Sequence, residues 1–184
     1  MRCFIAVVLE SRLVNKVMDI QKQIRNSGAD VKFVETENLH FTLKFLDELN
    51  ENEIGEVRDE LKKYIDNEEV FSIKIAGLGC FGRNNHIRTL WLGVKSGEDK
   101  FMKLLENVNK IKFGKINRKI HLTIGRVRSP RNIEKLIHIL NSLKDVNIGE
   151  MDVNVVKLKS SELTRSGPMY SDLAVFRLKG NENE

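Results

Sequence analysis

The chain is poor in residues that staple, break or anchor a fold: it has two cysteines, two prolines and one tryptophan in 184 residues. Cys3 and Cys80 form no Cys-x-x-Cys pair and each lies among apolar neighbours, which argues against a structural zinc site and for a reducing, cytoplasmic setting. No stretch approaches the roughly 18 apolar residues of a membrane helix. The apolar start, Arg2 to Leu9, is too short and too early for a secretion signal and reads as a first strand. A GxxxxGK[ST] phosphate loop, a GxSxG nucleophile elbow and a His-x-x-x-His pair are all missing, which removes the usual signatures of ATP-driven, serine-hydrolase and zinc-hydrolase chemistry. Gly77-Leu78-Gly79 is too short for a dinucleotide fingerprint and reads as a turn.

Charge is abundant by contrast. The formal net charge is +5 and charged residues make up 31% of the chain, a balance that suits a polyanionic partner although much of it must simply solvate the surface. Histidine is scarce, and its placement is the strongest signal. Of four histidines, two stand in the same tetrapeptide: His40-Phe41-Thr42-Leu43 recurs as His121-Leu122-Thr123-Ile124. Each alternates as a half-buried strand does, with His and Thr on one face and the apolar residues on the other. Chance would produce such a pair on the order of once in ten thousand sequences of this composition.

The tetrapeptides mark a larger duplication. In the first half, a strand over 3–9 precedes a helical stripe at Leu13, Val17, Ile20 and Ile24, and a motif strand spans 39–46. A capping-box pattern, Asn50 with Glu53, opens a second stripe at Ile54, Val57, Leu61 and Tyr64, and Phe71, Ile73 and Ile75 alternate as a strand. The second half repeats the order: a strand over 86–94 around Trp91, a stripe from Phe101 to Ile111, and a motif strand over 119–127. Ser129-Pro130 then reads as a cap and first helical position before Ile133, Leu136, Ile137, Leu140 and Leu143, and Met151, Val153 and Val155 alternate as a strand. A last strand over 172–178 closes the chain. The expected fold is α+β: one bilobal domain over 1–184, with two pseudo-symmetric β-α-β-α-β halves near 1–80 and 84–160 and the motif strands facing across a central cleft. A doubly wound parallel sheet is the rival for the same alternation.

Two opposed imidazoles suit in-line displacement at phosphorus, where one side must take a proton from the incoming oxygen and the other must give one to the leaving oxygen. Thr42 and Thr123, two residues along on the same face, can donate to non-bridging phosphate oxygens. Arg126, near the end of the second motif strand, offers a planar phosphate clamp. This chemistry needs no metal and no cofactor. Lys44 falls on the His40/Thr42 face as a phosphate contact or a solvated edge, Phe81 and Tyr170 are candidates to contact a base, and Trp91 reads as core. His86, beside the turn-like Asn84-Asn85, and His138, within a helix, read as structural. The residues alone leave open which motif histidine is acid and which is base.

These residues resemble the RNA 2′,3′-cyclic phosphodiesterases, also called 2′-5′ RNA ligases, of the 2H phosphoesterase superfamily. The likeness runs through Arg2-Cys3-Phe4-Ile5-Ala6, Asn38-Leu39-His40-Phe41-Thr42-Leu43-Lys44-Phe45-Leu46, Gly77-Leu78-Gly79-Cys80-Phe81, Leu90-Trp91, His121-Leu122-Thr123-Ile124-Gly125-Arg126-Val127 and Gly167-Pro168-Met169-Tyr170. It implies a bilobal α+β fold and hydrolysis of a terminal 2′,3′-cyclic phosphate on RNA to a 2′-phosphomonoester, with joining or cleavage of 2′-5′ linkages as a side reaction. It further implies His40 as proton donor, His121 as the base that activates water, and Thr42, Thr123 and Arg126 as phosphate holders. The expected partner is RNA with cyclic-phosphate ends, tRNA fragments among them, and the expected state is a cytoplasmic monomer without a membrane partner. Asp47 stands where the family commonly has Gly, and Gly82 where it commonly has Pro. A phosphodiesterase of small cyclic nucleotides or ADP-ribose cyclic phosphates, and a non-catalytic RNA-binding module, are the alternatives.

Overall fold

The computed structural model describes residues 1–83, 86–165 and 167–180. The chain runs β1 (Arg2–Val8), α1 (Ser11–Arg25), β2 (Val31–Phe33), a 3-10 turn (Thr36–Asn38), β3 (His40–Glu48), α2 (Glu51–Ile65), β4 (Phe71–Arg83), β5 (His86–Ser96), α3 (Glu98–Asn109), β6 (Leu122–Val127), α4 (Ile133–Ser142), β7 (Asn147–Val153), β8 (Val155–Leu163) and β9 (Pro168–Arg177). The apolar stripes become buried helix faces: Leu13, Val17, Ile20 and Ile24 on α1, Val57, Leu61 and Ile65 on α2, Phe101, Leu104, Leu105 and Val108 on α3, and Ile133, Leu136 and Leu140 on α4. Each such side chain contributes about 1.5–3 kcal/mol on leaving water. The Asn50 capping box forms in full: Glu53 N donates to Asn50 Oδ1 at 3.0 Å, and Asn50 N donates to Glu53 Oε2 at 2.8 Å. None of the helices among the described residues is long and apolar enough to cross a membrane.

The strands join in one sheet of order β7-β4-β5-β6-β3-β1-β8-β9, with β2 paired to β6. Every pairing between these strands is antiparallel, so the doubly wound parallel alternative falls. The sheet narrows at its centre, where β3 and β6 share one pair, Phe41 with Leu122. Those are the residues that follow each motif histidine, so equivalent points of the repeat meet each other, as they would on an approximate two-fold axis. On either side lies a four-stranded lobe, β6-β5-β4-β7 and β3-β1-β8-β9. The helices pack in pairs, α1 with α4 and α2 with α3, and their buried faces join the strands in one core cluster.

Several local expectations give way to tertiary geometry. Strand β4 follows α2 in the chain yet pairs with β5 and β7, so the first sequence half supplies a strand to the other lobe. Gly77-Leu78-Gly79 is no turn but an irregular stretch inside β4, where the register shifts between Ile75 and Leu78. A side chain at Gly79 would collide with the Trp91 ring. Ser129-Pro130 does not open α4: Ile133 N bonds Pro130 O in a turn, and the cap is Asn132 at φ 53°. Asn132 is held there by its own side chain, whose Nδ2 donates to Gly28 O at 3.0 Å. Val155 begins a separate strand, and the closing strand starts four residues earlier than the alternation indicates, because β8 and β9 form a long hairpin from Val155↔Arg177 to Leu163↔Pro168. The turn read at Asn84-Asn85 lies outside the described residues.

Candidate active site

Strict alternation fails one residue past each motif threonine, and it fails identically in both halves. In β3, Ala6 pairs with Thr42 and Ile5 with Lys44, so Leu43 is skipped. In β6, Trp91 pairs with Thr123 and Leu90 with Gly125, so Ile124 is skipped. These are β-bulges, and each turns the strand by one residue. Leu43 and Lys44 are therefore both buried, as are Ile124 and Gly125, and the cleft side is regained at Phe45 and Arg126. The five-residue offset that would aim Arg126 away from His121 in a regular strand thus aims it into the cleft.

The bulge also separates Lys44 from the site. Contrary to the phosphate contact or solvated edge expected of it, Lys44 is 2% exposed and its Nζ donates to Asn109 O at 3.0 Å and Ile111 O at 2.5 Å, at the carboxyl end of α3. Burial lowers its pKa, and the nearby Glu60 carboxylate opposes that shift. Gly125, its counterpart, is small because β2 crosses it: an added Cβ would stand 2.8 Å from Val31 Cγ1.

A cavity of about 1030 Å³ follows the seam between the lobes, and His40, Thr42, His121, Thr123, Arg126, Phe81 and Tyr170 all line it. The Phe41–Leu122 register sets His40 across from Thr123 and Thr42 across from His121. His40 Nδ1 faces Asn38 O at 2.6 Å, and its Nε2 lies 3.0 Å from Thr42 Oγ1. The carbonyl fixes a proton on Nδ1, leaving Nε2 as the atom that gains or loses one. His121 Nδ1 is buried without a hydrogen-bond partner; the Lys119 carbonyl, again two residues back, favours its charged form without closing a hydrogen bond.

Both imidazoles are held below their ordinary pKa, each mainly by burial. At His40 the Asn38 carbonyl opposes this, while the charges of Lys159 and His121 add to it. At His121 the Lys119 carbonyl opposes it, while Arg126 and the Lys119 ammonium add to it. Each ring also has an aromatic bracket. Phe4 and Tyr170 flank His40 with centroids at 5.0 and 5.5 Å, and Phe81 and Trp91 flank His121 at 4.8 and 6.4 Å. Burial raises the Tyr170 pKa, Arg126 lowers it, and Glu35 raises it.

His86 and His138 are exposed and stand outside this cavity, and both cysteines are free. Among the described residues no group of three or more His, Cys, Asp or Glu side chains is placed to hold a metal ion. Sequence reading missed Phe4, Phe45, Lys32, Glu35, Asn38 and Asn117, all of which line the cavity. Only the bulge brings Phe45 there, and Lys32, Glu35 and Asn117 sit on or beside short segments without a periodic pattern.

The family model described as LigT like Phosphoesterase matches residues 8–91, which contain the first motif. A protein of Methanothermobacter thermautotrophicus named RNA 2′,3′-cyclic phosphodiesterase is 40% identical over 183 residues, covering 96% of this chain and 98% of that protein. This chain belongs to the LigT-like phosphoesterases. Among solved structures, TT0787 of Thermus thermophilus superposes on this LigT-like phosphoesterase with a TM-score of 0.78 at 25% identity, over 99% of this chain and 100% of the other. The E. coli LigT structure complexed with 3′-AMP shares the fold, with a TM-score of 0.74 at 19% identity over 96% of this chain and 97% of that one.

Proposed function

We propose that this LigT-like phosphoesterase hydrolyses the 2′,3′-cyclic phosphate at RNA ends to a 2′-phosphomonoester, by acid–base catalysis with two histidines. The observation that carries this reading is the meeting of the repeat at Phe41 and Leu122, which brings both imidazoles, both threonine hydroxyls and Arg126 to one cavity. His121 Nε2 takes a proton from water as the water oxygen attacks phosphorus. The bond from phosphorus to the 3′ oxygen breaks, and His40 Nε2 gives that oxygen its proton. Thr42, Thr123 and Arg126 hold the non-bridging oxygens, where charge builds in the transition state.

The difference between the two Nδ1 environments supports this division. A carbonyl at 2.6 Å stabilises the imidazolium of His40, the form an acid needs. Burial, Arg126 and the Lys119 ammonium disfavour the imidazolium of His121, and burial, Lys159 and His121 act in the same sense on His40, so the division rests on the carbonyl that only His40 has within hydrogen-bond distance. The relative named RNA 2′,3′-cyclic phosphodiesterase and the complex of E. coli LigT with 3′-AMP support the substrate class. A cavity of about 1030 Å³ has room for a nucleotide and more, as an RNA end, tRNA fragments among them, requires. Both motifs of a single chain line the cavity, so a monomer suffices for this reaction, and two unpaired cysteines fit a reducing, cytoplasmic setting.

The test is turnover, in excess EDTA, of an oligoribonucleotide ending in a 2′,3′-cyclic phosphate. Conversion to the 2′-phosphate is expected, with His40→Ala and His121→Ala each lowering kcat at least about a hundredfold in a folded protein. Tight binding with no product would establish a binding module instead, and near-normal activity in either variant would sink the two-histidine mechanism.

A further inference from the structure

The charge around the cavity is uneven, and the unevenness gives the RNA a direction. One end is walled by protein. There Lys32 and Glu35 flank the position a side chain on Gly167 would take, and Asn38 Nδ2 donates to Pro168 O at 3.2 Å, so the segment before β3 meets the β8–β9 turn. The opposite end, along β1 and β3, is lined by Asp47 and Glu48, and its one cation, Arg2, is already 4.0 Å from Glu48. Two carboxylates against one guanidinium leave that end net negative, which repels a polyanion.

The long side is different. Residues 110–120 have no regular structure and run along β3 before leading into β6. Gly114 lies so close to Phe45 O that no side chain fits, Lys115 N donates to Phe45 O at 3.2 Å, and Asn117 Nδ2 donates to Thr42 O at 2.8 Å. Lys119 Nζ then rests 5.5 Å from the Phe81 ring centre. Phe45, Asn117 and Phe81 line the cavity, so residues 115–119, of which Asn117 faces it, form a rim beside it. Lys115, Arg118 and Lys119 are exposed, and among the described residues none of the three has an ion-pair partner, whereas Lys112 just before them is taken by Glu56.

Resting on the activity proposed above, we infer that the RNA strand leading to the cyclic end leaves the cleft over this rim. Phosphates next to the reacting end are neutralised by Lys115 and Arg118, with Lys119 at the cavity mouth. Such contacts displace condensed counterions and are sequence-independent.

The test compares a nucleoside 2′,3′-cyclic monophosphate with oligoribonucleotides of increasing length ending in a cyclic phosphate, across a range of KCl concentrations. The proteins are wild type, K115A/R118A, and a control, K22A/K103A/K135A, that removes cations from the helices. For wild type, kcat/KM should rise at least about tenfold with length. K115A/R118A should lose most of that gain, and its log–log salt slope should shrink by about 1.4, roughly 0.7 per lost phosphate contact. Both variants should turn over the mononucleotide within about twofold of wild type. An undiminished length gain in K115A/R118A, or an equal loss in the control, overturns the rim. No turnover of any cyclic phosphate by any of the three proteins strikes the proposed activity instead.

Discussion

Asn117→Ala separates positioning from catalysis. The side chain makes two hydrogen bonds: Nδ2 donates to Thr42 O at 2.8 Å, and Oδ1 accepts from Lys119 N at 3.2 Å. The first ties the second half to the first motif strand, and the second anchors the amide of Lys119, whose own carbonyl, one peptide further on, faces His121. The backbone of Asn117 is held separately, by the Asn109 side chain at 3.1 and 2.7 Å, so the segment remains docked in the variant. Two bonds of about 0.5–1.5 kcal/mol each amount to about 1–3 kcal/mol, which lowers Tm by roughly 3–10 °C in a domain of this size. The catalytic loss is larger in proportion, because a misplacement on the order of 1 Å can cost about a hundredfold. With a cyclic mononucleotide as substrate, kcat should fall about ten- to a hundredfold with KM little changed. The Lys119 carbonyl raises the His121 pKa, so loosening Lys119 at its amide should let that carbonyl drift from the ring and move the acidic limb of the rate profile to lower pH. Asn117→Asp keeps an acceptor for Lys119 N but adds a carboxylate to the cavity lining, which favours the imidazolium form, so its acidic limb should move the other way, to higher pH. A variant that melts earlier but keeps kcat and both limbs would refute the reasoning.

Activity should follow a bell-shaped pH profile, the acidic limb reporting His121 and the basic limb His40. The Lys159 charge lowers the His40 pKa, so Lys159→Met should move the basic limb to higher pH and leave the acidic limb in place, checked by kcat against pH with the mononucleotide. Gly125→Val should cost about 1–3 kcal/mol in denaturant unfolding, because its side chain enters space held by Val31 of β2. Ile124→Val, beside it in the core, should cost less, and an equal cost for the two would show that β2 does not constrain position 125.

The fold was legible where one physical pattern dominates its segment. The four helix stripes, the capping box at Asn50 and the alternation from His40 to Leu43 depend on neighbours three to four residues apart, or two apart, and these survive any tertiary arrangement. The repeat also pointed to a shared cleft, because equivalent strands of a duplicated unit are natural partners. Lys44 went astray because a bulge is a property of two strands together: nothing in His40–Glu48 alone says that Ile5 and Ala6 will skip Leu43. Asn132 displaced the Ser129-Pro130 start for a related reason, since its bond to Gly28 crosses from one half of the chain to the other. Strand β2 is three residues long and the 110–120 rim has no period, so the walls of the site carried no pattern to read.

The duplicated bulge leaves Phe45 and Arg126 at matching places in the two lobes. A cleft with true two-fold symmetry would be blind to the order of its substrate's atoms, since rotating the substrate by half a turn would restore the same contacts. A ribose cyclic phosphate has two bridging oxygens that differ only in their attachment to the sugar. To break one and spare the other, the protein must give its binding groove a front and a back. A guanidinium at one of the two matching positions and a phenyl ring at the other do this within a single position of the repeat, and they leave the paired scaffold undisturbed.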